Sequence, residues 1–145
     1  MRLIAALTLL VLASPAAAHV TVWPKVSAAG GREKYEIRVP DEKQVDTVAL
    51  ELRFPPGLRV TSIEQKPGWM SELLRDASGN AIGVRWTGKL APMQFTELGL
   101  LAANPATGSE LVWSAIQTFA DGTRIEWSGP PGSKAPAPRV TLSAK

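Results

Sequence analysis

Short segments in which apolar and polar side chains alternate residue by residue recur along this chain. Because successive side chains of a β-strand point to opposite faces of a sheet, each such segment predicts a half-buried strand. In 47–54, for example, the apolar side chains fall on every second residue. The predicted strands are Lys34–Val39, Thr47–Phe54, Leu58–Glu64, Ile82–Trp86, Phe95–Ala102, Leu111–Phe119 and Arg124–Trp127.

Turn-forming residues separate these segments. Asp121-Gly122 lies between two strand-like runs, which is a strong hairpin signal. The sequence shows no amphipathic helix of any length. Many short strands at this spacing predict an all-β fold, and specifically an immunoglobulin-like antiparallel β-sandwich.

The first residues have the composition of a secretory signal peptide. Arg2 supplies a positive charge, an apolar run extends over 3–12, and small residues occupy 16–18. The run is shorter than the ~20 residues that a membrane-spanning helix needs. We therefore predict cleavage between Ala18 and His19, a periplasmic or secreted location, and a mature form with no membrane span.

The rest of the chain is predicted to be one domain followed by a tail. Residues 19–130 carry the predicted strands and have enough length for a full hydrophobic core. Residues 131–145 are rich in proline and glycine and form the predicted tail. Within this tail, Arg139–Leu142 has the composition of a short edge strand.

Composition excludes several functions. The 16 Lys and Arg residues are interspersed with 13 Asp and Glu residues, so nucleic-acid binding has little support. The chain has no cysteine and one histidine, His19, so a Ser-His-Asp triad would have to use that residue. The neighbouring carboxylates Asp41 and Glu42 would face opposite ways on a strand, which disfavours a shared acid–base site. We therefore expect a protein that is not an enzyme.

The histidine lies directly after the predicted cleavage site. A free N-terminal histidine offers two nitrogen ligands, its α-amine and its imidazole Nδ1, which can chelate one metal ion. Cu(II) stands highest among the divalent metals in affinity for nitrogen ligands, and soft thiolate ligands for Cu(I) are absent. The residues thus favour Cu(II), although a histidine here is also compatible with an ordinary frayed terminus.

Several motifs, in the same order, resemble those of the YcnI-like proteins, over a span from His19 to about Pro130. The motifs are His19–Pro24, Glu36–Lys43, Pro67–Trp69, Phe95–Ala102 followed by Asn104-Pro105, and Gln117–Pro130. The resemblance implies an exported, immunoglobulin-like copper-binding domain. It also implies a single-histidine brace, a site made of the terminal histidine, a glutamate and a nearby tryptophan.

Carried onto this chain, the brace assigns the amine and Nδ1 to His19, the carboxylate to Glu42 and a wall beside the metal to Trp127. Glu36 and Asp41 remain alternative sources of the carboxylate. On composition alone, Trp127 would be core or rim packing and Glu42 a solvated charge.

Two functions remain in competition. The first is a periplasmic Cu(II) chaperone, buffer or acquisition factor that passes copper to a membrane copper transporter or a second periplasmic copper protein. The second is a metal-free sandwich that binds a protein partner of the cell envelope, with His19 incidental. A copper-dependent oxidant is a weaker third possibility, since no substrate groove can be inferred from the sequence.

Overall fold

The computed structural model describes residues 19–144, and every regular element in that range is a β-strand. The strands are β1 (Thr21–Trp23), β2 (Val26–Ala28), β3 (Arg32–Pro40), β4 (Thr47–Arg53), β5 (Arg59–Ile63), β6 (Met70–Arg75), β7 (Ala81–Leu90), β8 (Phe95–Ala103), β9 (Glu110–Val112), β10 (Ser114–Phe119), β11 (Arg124–Trp127) and β12 (Arg139–Ser143). The predicted all-β class is confirmed. The predicted signal peptide, 1–18, lies outside the described residues, and 19–144 contain no helix long and apolar enough to cross a membrane.

The strands form three sheets. One has the order β1-β3-β8-β5, the second β11-β10-β4-β7-β6, and the third β2-β12-β9. Neighbouring strands run antiparallel, except that β2 and β12 are parallel. The strands β1 and β11 are therefore edge strands of the two larger sheets.

The two larger sheets share one hydrophobic core. Strand β3 contributes Tyr35, Ile37 and Val39, and β4 contributes Leu50 and Leu52, all fully buried. Burying an aliphatic or aromatic side chain of this size contributes about 1.5–3 kcal/mol. The alternation in the sequence therefore identified the faces that hold the sandwich together.

One predicted strand is divided in the structure. The segment 111–119 forms β9 and β10, which belong to different sheets, and the break falls at Trp113. The backbone N–H of Trp113 donates to Pro138 O at 2.9 Å instead of continuing the ladder. Strand β6 was not predicted because most of its side chains are exposed, so it has no buried apolar face.

The C-terminal segment packs onto the domain. Gly129 N donates to Ala135 O at 2.9 Å, and Ala137 N donates to Gly129 O at 2.8 Å, which closes the proline-rich turn. The strand expected at 139–142 is present as β12. It is the central strand of its sheet rather than an edge strand, because it pairs with both β2 and β9.

Candidate metal centre

The single histidine lies against the tryptophan that the sequence pointed to. The ring centroids of His19 and Trp127 are 5.5 Å apart, with an angle of 53° between the ring planes. His19 precedes β1 and Trp127 ends β11, which are the edge strands of the two larger sheets. The contact therefore joins the two sheets at one side of the sandwich.

Strand β1 fixes the position of His19. Val20 and Val22 are buried in the core, 1% and 0% exposed. Thr21 pairs with Arg38 on β3, so continuing the antiparallel register by two residues places His19 across from Pro40. His19 is partly buried. It is thus held by the strand that follows it, at the end of β3 from which the loop to β4 departs.

Trp127 is held from the opposite sheet. Trp127 pairs with Ala115 on β10, and its side chain is only 5% exposed. Its indole Nε1–H donates to Gln117 Oε1 at 3.2 Å. The indole orientation is therefore set both by packing and by a hydrogen bond.

Gln117 is a buried polar residue that the sequence analysis did not single out. It is 1% exposed, on the inward face of β10 between Ala115 and Phe119. Its Nε2 donates to Pro40 O at 2.9 Å and to Thr47 Oγ1 at 2.8 Å. A glutamine at an inward position of an alternating strand was the signal that could have identified it.

Asp41 anchors the loop between β3 and β4. Its side chain is 1% exposed. Oδ2 accepts hydrogen bonds from Thr47 N at 2.7 Å and from Thr47 Oγ1 at 2.8 Å, and Oδ1 accepts one from Lys43 N at 2.9 Å. Because both oxygens are already bonded inside the protein, Asp41 is poorly suited to bind a metal.

Glu42 lies on this anchored loop with an exposed side chain. Beyond it, Lys43 Nζ donates to Thr123 Oγ1 at 2.8 Å and lies 4.4 Å from the ring centroid of Phe119. Before it, the carbonyl of Pro40 is bonded to Gln117. The residues on both sides of Glu42 are therefore attached to β10 or to the β10–β11 hairpin that carries Trp127, through the Pro40 carbonyl on one side and the Lys43 side chain on the other.

Glu36 lies further from the contact between the two rings. It pairs with Trp23 in the middle of β3, four residues from Pro40, which is about 13 Å along a strand. Its Oε1 accepts a hydrogen bond from Lys34 Nζ at 2.9 Å, and this bond holds the pKa of Glu36 below its ordinary value. Of the three carboxylates considered, Glu42 best combines an exposed side chain with a position near the end of β3.

Over 19–144, no three histidine, cysteine, aspartate or glutamate side chains are close enough together to form a metal-binding cluster. The part of the chain that the structure describes therefore brings together the rings of His19 and Trp127, and attaches the Glu42 loop to the strand beside Trp127.

The family model described as "Domain of unknown function (DUF1775)" matches residues 19–142. The copper-binding protein CutI of Bacillus subtilis (strain 168) is 33% identical over 132 residues, which cover 89% of this chain and 64% of CutI. This chain thus spans less than two thirds of that relative's length.

Solved structures confirm the predicted immunoglobulin-like sandwich. The crystal structure of an uncharacterized protein from Nocardia farcinica, described as an immunoglobulin-like fold, matches with a TM-score of 0.77 and 29% identity, covering 86% of this chain and 98% of that one. A cohesin module from Clostridium perfringens matches with a TM-score of 0.59 and 9% identity, covering 88% and 96%. At that identity, the cohesin shows likeness of fold alone.

Proposed function

We propose that this chain, which belongs to the DUF1775 family, is an exported protein that binds Cu(II) through His19 as its mature N-terminus. The resemblance to YcnI-like proteins is confirmed by the family match and by CutI, a relative named for copper binding. The observation that carries the proposal is the contact between the single histidine and the buried Trp127 at a sandwich edge.

The donor set suits Cu(II). After cleavage at 18, His19 offers its α-amine and Nδ1 as two adjacent nitrogen ligands, and one carboxylate oxygen from Glu42 would complete a tetragonal arrangement. Two residues then provide three donor atoms, so the site needs no cluster of three ligand side chains. The family match begins at residue 19, which supports the placement of the mature terminus there.

The surrounding residues support a site with restricted access. Trp127 supplies an apolar wall on one side of the imidazole and is nine-tenths or more buried. Such a wall would exclude water from one side of a bound ion and so alter its redox behaviour. The loop that carries Glu42 is anchored through Asp41 and Lys43, so only a small movement of Glu42 would be needed to reach the metal.

We place the protein in the periplasm or outside the cell, as a copper chaperone, buffer or acquisition factor rather than an enzyme. In this role it would pass copper to a membrane copper transporter or to a second periplasmic copper protein. The exposure of Glu42 and the partial exposure of His19 support a site that a partner can reach from one side.

The test is a Cu(II) titration of two purified proteins that both begin at His19, one with a free α-amine and one with that α-amine acetylated. We expect the first to bind one equivalent tightly and the second to bind weakly, because acetylation converts the α-amine into an amide and supplies no new amine. Zn(II) titration of the same pair serves as a control for non-specific binding. Equal binding by both proteins would contradict the proposal and favour the metal-free, partner-binding alternative.

A further inference from the structure

We propose that Gln117 is a positioning residue of the copper site, one that aligns the Trp127 indole with the loop carrying Glu42. This inference rests on the proposed copper-binding function and deepens it. Gln117 itself is 1% exposed and is not offered as a ligand. Its role is to hold two separate parts of the site in a fixed relation to each other.

The geometry joins elements from both large sheets. Gln117 Oε1 accepts the indole N–H of Trp127 at 3.2 Å, while Nε2 donates to Pro40 O at 2.9 Å. Pro40 ends β3 and lies two residues before Glu42. One amide group therefore connects the indole wall on β11 with the start of the loop that carries the proposed carboxylate ligand.

A second connection runs through Thr47. Gln117 Nε2 also donates to Thr47 Oγ1 at 2.8 Å, and that hydroxyl donates to Asp41 Oδ2 at 2.8 Å. Asp41 is the residue directly before Glu42, so the loop is tied to Gln117 at two consecutive positions. The network is buried and each of its bonds restricts the others.

Packing alone does not explain a glutamine at this position. Its neighbours on the inward face of β10, Ala115 and Phe119, are apolar and fully buried. A polar amide among them is costly unless all its hydrogen bonds are made, and an apolar side chain of similar size would fill the space. The bonds that Gln117 does make lead to Trp127 and to the Glu42 loop rather than to neighbours on its own strand. We assign Gln117 to the copper site because its hydrogen bonds lead to the two parts of that site.

Residues that hydrogen-bond to a metal's immediate surroundings commonly change affinity by 10–100-fold when they are replaced. Gln117→Met keeps the size of the side chain but removes all three hydrogen bonds. We expect Cu(II) affinity to fall by about 10-fold or more, with a changed EPR hyperfine pattern that reports a different equatorial geometry. A residue that contributes only to stability would leave the spectrum of the folded protein unchanged.

The chain offers a matched control at the other end of the sandwich. Asn104 is buried and makes three hydrogen bonds, accepting one from Tyr35 Oη at 2.7 Å and donating to Ser27 Oγ and Ala28 O, each at 2.9 Å. It follows β8 at the end opposite Phe95, the partner of Pro40, about 30 Å of strand away. Asn104→Leu should cause a comparable loss of stability with unchanged copper affinity and EPR spectrum.

The experiment compares the wild-type mature protein, Gln117→Met and Asn104→Leu by competitive Cu(II) titration and EPR, at a temperature where all are folded. Thr47→Val is the milder variant if Gln117→Met does not fold, because it removes only the link from Gln117 to Asp41. We expect Thr47→Val to lower affinity less than Gln117→Met does.

The outcomes separate the two proposals. If the wild-type protein binds no copper, the proposed function fails and this inference fails with it. If the wild type binds copper and the Gln117→Met and Thr47→Val variants match it in affinity and spectrum, only the positioning role of Gln117 is wrong. If Asn104→Leu weakens binding as much as Gln117→Met, the effect is one of general stability and the inference is overturned.

Discussion

Replacing Asp41 with asparagine tests whether its buried carboxylate anchors the loop between β3 and β4. The side chain is 1% exposed and accepts three hydrogen bonds, two from Thr47 and one from Lys43 N. In Asp41→Asn, the remaining oxygen can keep both Thr47 bonds. The new NH₂ group then faces the Lys43 N–H, so that bond is lost and two donors meet.

The expected loss follows from these bonds. A hydrogen bond to a charged group contributes about 1.5–3 kcal/mol, and the two retained bonds weaken when the acceptor becomes neutral. We expect Asp41→Asn to lower the free energy of unfolding by roughly 3 kcal/mol. With a urea m-value of about 1.5 kcal/mol/M, the unfolding midpoint should fall by roughly 2 M.

The assay is urea unfolding followed by circular dichroism, with Asp46→Asn as the control. Asp46 is on the same loop, and its Oδ2 lies 3.1 Å from Nζ of Lys89, whose side chain is 76% exposed. An ion pair with so exposed a partner contributes about 0–1 kcal/mol, so the control should shift the midpoint little. A midpoint for Asp41→Asn no lower than that of Asp46→Asn would refute the anchoring role.

Two further predictions concern aromatic residues. Trp127→Phe keeps an apolar side chain beside His19 but loses the indole N–H. We expect Cu(II) affinity near that of the wild type and a shifted copper reduction potential in voltammetry. An unshifted potential would count against a role of Trp127 in the redox behaviour of the bound copper. Tyr35 is the only tyrosine, and burial raises its pKa above the ordinary value, so phenolate absorbance should appear at higher pH in the folded than in the unfolded protein. The stability linked to Tyr35 is therefore full below the unfolded-state pKa of about 10 and is lost as pH rises through the folded-state pKa. If phenolate absorbance rose at the same pH in the folded and the unfolded protein, this prediction would be wrong.

The sequence predicted the strands whose alternation produces a buried face. Of the predicted segment 47–54, residues 47–53 form β4 with Leu50 and Leu52 in the core, and Asp121-Gly122 forms the turn of the β10–β11 hairpin. Alternation alone cannot show where a chain changes sheets, which is why the break at Trp113 was not predicted. It also cannot detect a strand such as β6, whose side chains are mostly exposed.

The candidate site was partly predictable for a similar reason. His19 stood out because it is the single histidine, and Trp127 because of its motif, and the two rings meet in the folded chain. Gln117 could have been singled out as a glutamine at an inward position of an alternating strand, but its partner Pro40 lies 77 positions away and cannot be derived from local pattern. The anchoring role of Asp41 depends on the loop conformation that brings Thr47, six positions along the chain, back to its carboxylate. The role of Glu42 as the carboxylate ligand stays a prediction.

The most direct test of the copper site is EPR of the mature protein beginning at His19, loaded with one equivalent of Cu(II). Comparing protein of natural isotopic composition with ¹⁵N-labelled protein reports the nitrogens bound to the metal. We predict a tetragonal spectrum in which two nitrogens are coupled to copper, the α-amine and the imidazole Nδ1 of His19. A spectrum without nitrogen coupling, or one that is unchanged when the α-amine of His19 is acetylated, would contradict the terminal-histidine site.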